Sequence, residues 1–107
     1  MNKTFSALAC ALALCVTPVL AADYEAGKQK AVTCTACHGE GGAKPIMPQT
    51  PILAGQYADY LEHALRAYKK GTRQNPLMRP LAAPLSDEDI ENLAAYFSQQ
   101  EGLWVRY

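Results

Sequence analysis

The 107-residue chain reads as all-α, with three or four short helices. Two windows predict this. Residues 56–70 carry apolar side chains at helical spacing, and residues 86–100 do the same behind a capping signature. A third observation supports them: no window alternates apolar and polar residues as a half-buried strand would.

The first 22 residues have the makings of an export signal, leaving 23–107 as the mature domain. Asn2 and Lys3 give a short cationic start, and Phe5 to Leu14 is an apolar run of signal length. Val19-Leu20-Ala21-Ala22 allows cleavage after Ala21 or Ala22. The run is too short for a membrane span, Thr17-Pro18 interrupts it, and no later stretch is long enough. An exported, soluble chain with no membrane span is expected. A lipid on Cys15 is disfavoured because Leu14 precedes it where a small residue is usual. Cys10 and Cys15 leave with the signal, so Cys34 and Cys37 remain and build no disulfide framework.

The mature chain, about 85 residues, is near the lower size for a self-sufficient core. Lysine plus arginine balance aspartate plus glutamate at 10 each, and loss of Lys3 leaves a formal −1. That balance argues against nucleic acid as a partner. Asp23 caps a first helix running toward Cys34, with Tyr24, Gly27, Ala31 and Val32 as inward positions. Gly39-Glu40-Gly41-Gly42-Ala43-Lys44-Pro45 reads as a loop without regular structure, and Pro45, Pro48 and Pro51 keep the chain extended there.

In 56–70, Tyr57, Leu61, Ala64, Leu65 and Tyr68 share one face, and Asp59, Glu62, Arg66 and Lys69 take the other. Lys69 and Lys70 suit the C-terminal end, and Gly71 stops the helix. Asn75-Pro76-Leu77-Met78-Arg79-Pro80, with Pro84 soon after, predicts an ordered but non-helical strap. Ser86 and Asp89 resemble a capping box for the last helix, which carries Ile90, Leu93, Ala94 and Phe97 on one face. It runs to about residue 100, and Gly102 ends it. The tail 102–107 is apolar for a terminus; docking back onto the domain is the simpler expectation, an interface with a partner the sharper one.

Cys34-Thr35-Ala36-Cys37-His38 is the C-x-x-C-H signature of covalent c-type haem attachment. Two thiols bond to the two vinyl groups of one haem, and the adjacent histidine gives an imidazole nitrogen to the iron. One such motif means one haem c, attached through Cys34 and Cys37. The sixth position is closed by a second ligand or left open, and Met47, Met78 and His63 are the candidates. Met78 is preferred because flanking prolines stiffen the strap that must hold sulfur on iron. Met47 follows His38 too closely to cross the ring, and His63 sits among Asp59, Glu62 and Arg66 as a surface histidine would. Zinc on Cys34, Cys37, His38 and His63 would need a strained clamp from adjacent Cys37 and His38. A thioredoxin-like site lacks the strand that should precede it.

The whole mature chain resembles the class I c-type cytochromes. The residues come in that family's order: Gly27, Cys34 to Gly39, Pro51-Ile52-Leu53-Ala54-Gly55-Gln56, Tyr60-Leu61, Tyr68, and Gly71-Thr72-Arg73. Met78, Leu85-Ser86-Asp87 and Leu93-Ala94-Ala95-Tyr96-Phe97 come after them. The likeness covers about residues 23–100 and is nearest to monohaem forms and single halves of dihaem forms of bacterial periplasms. It implies the class I cytochrome c fold around one haem. It also implies that Cys34 and Cys37 are the thioether sites and His38 and Met78 the iron ligands. Pro51 would accept a hydrogen bond from the proximal imidazole, Leu53 would wall the pocket, and Arg73 would contact a propionate. Gly27 would let the first helix approach the last; Ala31 departs from the larger apolar residue of many relatives.

The function so implied is periplasmic electron transfer, a one-electron shuttle between redox partner proteins that dock near an exposed haem edge. It is not an enzyme. Lys69, Lys70, Arg73 and Arg79 lie near the strap, where they would steer an acidic partner or simply suit a helix end. Two alternatives share the motif. One is a c-type haem subunit fixed to a larger dehydrogenase or oxidase; the other is a ligand sensor or catalyst with a labile sixth ligand.

Overall fold

The structure, a computed structural model, describes residues 20–102. The expected export signal falls almost wholly outside the described residues, as do residues 103–107 of the apolar tail. Among the described residues the chain is all-α, with no strand.

Asp23 begins α1 (Tyr24–Lys30), its carboxylate accepting from the amides of Glu25 at 2.8 Å and Ala26 at 3.1 Å. The expected first helix is in fact two. It breaks at Ala31, and α2 (Val32–His38) starts there. The Cys34 amide donates to the Ala31 carbonyl at 2.9 Å, an i→i+3 step that shifts the helical phase of α2 relative to α1. Gly27 and Ala31 therefore point inward as expected, whereas Val32 is 71% exposed. The stretch after His38 is also not wholly irregular, since Glu40–Gly42 forms one 3-10 turn.

α3 (Ala58–Lys70) begins two residues later than its periodicity suggests and stops at Gly71, whose amide donates to the Ala67 and Tyr68 carbonyls. The proline strap corrects a second expectation: Met78 opens a short helix, α4 (Met78–Ala82). Pro80 lies in its first turn, where a helix amide has no intrahelical acceptor, so the missing N–H costs nothing there. α5 (Asp87–Ser98) has both halves of the expected capping box. Ser86 Oγ accepts from the Asp89 amide at 3.0 Å, and the Asp89 carboxylate accepts from the Ser86 amide at 2.9 Å.

α5 is the centre of the core and packs against both α1 and α3. Leu93, Ala94, Tyr96 and Phe97 form one cluster with Ala31 and Leu61, and Tyr24, Leu53, Leu65 and Leu85 pack against its flanks. Tyr96 lies between two rings, 5.3 Å from Tyr24 and 5.0 Å from Phe97, tilted to both. Tyr24, about two turns before Ala31, thus supplies aromatic surface to the cluster in which Ala31 is buried. Gly27 sets how closely α1 approaches: a Cβ there would stand 1.9 Å from the Asn92 carbonyl oxygen. The buried Asn92 side chain accepts from the Asp23 amide at 2.6 Å and ties the start of α1 to α5. Lys30 pairs with Asp89 at 3.1 Å, and Arg66 joins α3 to Asp87 and Glu91 of α5. At the surface such pairs add little compared with the packing beneath them.

Gly27→Ala would gain about 1 kcal/mol of helix propensity. It would lose more by forcing α1 off α5, for a net destabilisation of roughly 2 kcal/mol or more. Thermal melting is expected to show a drop of roughly 10 °C for a domain of this size. Asp89 gives a pH test. The Ser86 amide, helped by Lys30, holds its carboxyl below the ordinary value. Its contribution is present above about 3.8, the ordinary aspartate value, and is lost as pH falls through the lowered folded value. Asp89→Asn is therefore expected to melt lower than the parent at neutral pH and to converge with it in acid.

Candidate haem site

His38 closes α2 and is buried. Its Nδ1 lies 2.7 Å from the Pro51 carbonyl oxygen. A carbonyl only accepts, so Nδ1 carries the proton of this bond, and Nε2 is the ring nitrogen left to face an iron. The imidazole is thus held as a one-sided donor.

The loop that brings Pro51 to this bond is sewn down by main-chain hydrogen bonds. The amides of Leu53 and Ala54 both donate to the Gly42 carbonyl, at 2.8 and 3.2 Å. The Gly55 amide donates to the Phe97 carbonyl of α5 at 3.0 Å, and the Ile46 amide to the Cys37 carbonyl at 3.0 Å. Gly42 has φ of 73°, and a Cβ there would stand 2.8 Å from Leu53 Cβ and 2.9 Å from Phe97 Cδ1. Leu53 is half-buried and packs against the α5 cluster. Gly102 rests on the same loop, since a Cβ on it would meet Ala54 Cβ at 2.5 Å. That much of the tail does return to the domain.

Cys34 and Cys37 precede His38 on α2, and both are free thiols. Cys34 is half-buried against the core, and burial pushes its thiol up, while Cys37 is exposed. A redox-active or zinc-bound cysteine needs the opposite, a stabilised thiolate. Among the described residues no group of three or more His, Cys, Asp or Glu side chains is arranged to hold a metal ion. His63 is exposed on α3, apart from any such set.

Met78 is half-buried at the first position of α4. Met47 is 37% exposed, with its sulfur 3.8 Å from the Gln49 side-chain nitrogen. Arg73 spreads its guanidinium over the Tyr68 ring, 4.8 Å from the centroid. Lys69 donates to the Leu85 carbonyl. Arg79 covers Gly71, its Cζ 3.2 Å from where a Cβ would stand. Two asparagines matter that their sequence context does not single out. Asn92 ties α1 to α5, and Asn75 accepts from the amides of Leu77 at 2.9 Å and Met78 at 3.0 Å. An asparagine that accepts from the amides two and three residues on makes the same bonds as a helix cap, but its role is legible only once the strap is known to lead into a helix.

These residues fit a c-type haem. The donor set is an imidazole with a free Nε2, two uncommitted thiols and a thioether. Large apolar side chains are left exposed on the loop after His38 (Ile46, Ile52), at the start of α3 (Tyr57, Tyr60) and around α4 (Leu77, Leu81). Such surface suits a large, flat, mostly apolar group.

Fold and donor set together define a small all-α domain built to carry one covalently attached haem. The family described as "Cytochrome C oxidase, cbb3-type, subunit III" matches residues 21–97. Cytochrome c-554(548) of Halomonas halodenitrificans is 49% identical over 84 residues, covering 76% of this chain and 100% of that protein. Cytochrome c4 of Stutzerimonas stutzeri is 40% identical over 111 residues, covering 95% of this chain and 52% of that one. The crystal structure of reduced recombinant cytochrome c4 from Pseudomonas stutzeri superposes with a TM-score of 0.71 at 40% identity. It covers 78% of this chain and 48% of that one. The chain belongs to the class I c-type cytochromes and has their all-α fold. As in that family, haem c is bound covalently through a cysteine pair, and Cys34 and Cys37 stand at the required spacing. The chain spans the whole of cytochrome c-554(548) and about half the length of the cytochromes c4.

The proximal loop yields its own test. Gly42→Ala would crowd Leu53 and Phe97 and strain a left-handed backbone, and is expected to cost roughly 1–3 kcal/mol. Denaturant titration of the haem-loaded protein checks it.

Proposed function

We propose that this protein is a periplasmic one-electron shuttle, not an enzyme, with His38 and Met78 as the two protein ligands to iron. The hydrogen bond from His38 to the Pro51 carbonyl is the observation that carries this reading. A haem supplies the chemistry, one electron gained or lost between Fe(III) and Fe(II). His38 offers Nε2 on a ring whose orientation Pro51 fixes, and the same bond makes the imidazole a stronger donor. A Met78 thioether opposite it would favour the reduced state and raise the potential. With both ligands drawn from the protein, the same atoms serve both oxidation states and little has to move.

Cys34 and Cys37 keep the cofactor from being lost outside the cell. Leu53 lines the pocket from the side of the α5 core. Arg73 binds a propionate by swinging off Tyr68, as a guanidinium suits a carboxylate. Redox partner proteins dock near the exposed haem edge, and Lys70, Arg73 and Arg79 favour an acidic one. Residues 1–22 direct export and are removed after Ala21 or Ala22, leaving 23–107 as the cytochrome domain. No helix among the described residues is long and apolar enough to cross a membrane.

The test is an absorption spectrum of the exported protein, oxidised and reduced, with and without carbon monoxide. A weak thioether-to-iron band and no response to carbon monoxide are expected. Met78→Ala should retain haem, lose that band, bind carbon monoxide when reduced and show a lower potential. An unchanged spectrum and potential would remove Met78 from the ligand set.

A further inference from the structure

We propose that Asn75 is the positioning residue for the sixth iron ligand, fixing the backbone from which Met78 presents its sulfur. This rests on the reading of Met78 as that ligand. α4 has five residues, too few for an isolated helix to hold itself. Protein packing comes from one side only: α4 lies against α3, and between residues 72 and 82 Ala82 alone is fully buried.

The start of α4 is held by Asn75. Its carboxamide oxygen accepts from the amides of Leu77 at 2.9 Å and Met78 at 3.0 Å, and its main-chain carbonyl from Arg79 at 3.0 Å. The next residue is Pro80, which has no amide hydrogen to satisfy. One residue therefore accounts for every amide donor from 77 to 80, Met78 included. Pro76, locked in φ, spans the single step between the acceptor and the residues it holds. The proximal histidine has its oriented ring; on the distal segment, the oriented part is the main chain of Met78.

The experiment uses the full haem-loaded protein and compares Asn75→Ala, Asn75→Asp and Met78→Ala. Three quantities are read: the thioether-to-iron band of the oxidised form, the rate of carbon monoxide binding to the reduced form, and stability to denaturant. Asn75→Ala should keep its covalent haem, show a weakened band, and bind carbon monoxide about fivefold faster or more, the factor that loss of one side-chain cap carries. Asn75→Asp retains the acceptor oxygen and should return the band and the rate to parental values. If Asn75→Ala does not accumulate, Asn75→Gln, which displaces the oxygen by one methylene, is read in the same way.

A variant that melts lower but keeps the parental band and rate would make Asn75 a structural cap only and overturn the proposal. So would an Asn75→Asp protein that behaves like Asn75→Ala. If Met78→Ala itself stays closed to carbon monoxide, the ligand reading fails and this inference with it. If Met78→Ala opens and Asn75→Ala does not, this inference fails alone.

Discussion

The close approach of α1 to α5 at Gly27 governs the geometry of the rest. Main chain meets main chain there, with no side chain between to yield. Asn92, on the α5 side of the contact, also accepts the amide of Asp23, so the beginning of the domain is fixed in direction as well as distance. Only Ala31 separates α1 from α2, the helix that bears both cysteines and His38. A displacement at Gly27 would therefore travel about three helical turns and arrive at the imidazole.

The same helix governs the other side of that imidazole. Phe97 of α5 packs in the core through its ring and accepts the Gly55 amide through its carbonyl. The loop so held carries Pro51, and the Gly42 carbonyl draws Leu53 and Ala54 in beside it. His38 and its acceptor come from segments 13 residues apart and are both referred to α5. A hydrogen bond of 2.7 Å can persist between them because neither end is free to drift.

Much of this was legible in the sequence, for identifiable reasons. Helical spacing marked α3 and α5, and Ser86 with Asp89 marked where α5 begins, because both are local signals. Cys34-Thr35-Ala36-Cys37-His38 marked the haem, because each position has one chemical task. The break at Ala31 was not legible: alanine is a good helix former, and the one-residue change of phase depends on how α2 packs. Val32 faces solvent for the same reason. α4 was hidden by its prolines, which argue against a helix until Pro80 is seen to fall in the first turn. Asn92 and the Gly42 carbonyl gave no signal at all, since their partners lie far off in the chain.

The two sides of the site are anchored unequally. The proximal loop is tied by main-chain bonds to Gly42, to Cys37 and, through Gly55, to Phe97 of α5. By contrast, α4 leans on α3 with Ala82 as its one fully buried residue and is held at its start by Asn75. Cooperative units of a protein open in order of their own stability. The distal strap should thus be the first element to detach and the last to settle, while both thioether positions and the proximal histidine stay within five consecutive residues of α2. A chain arranged this way can lose one ligand and recover it without ever releasing its cofactor. Covalent attachment on one short helix thus turns partial unfolding into a reversible event.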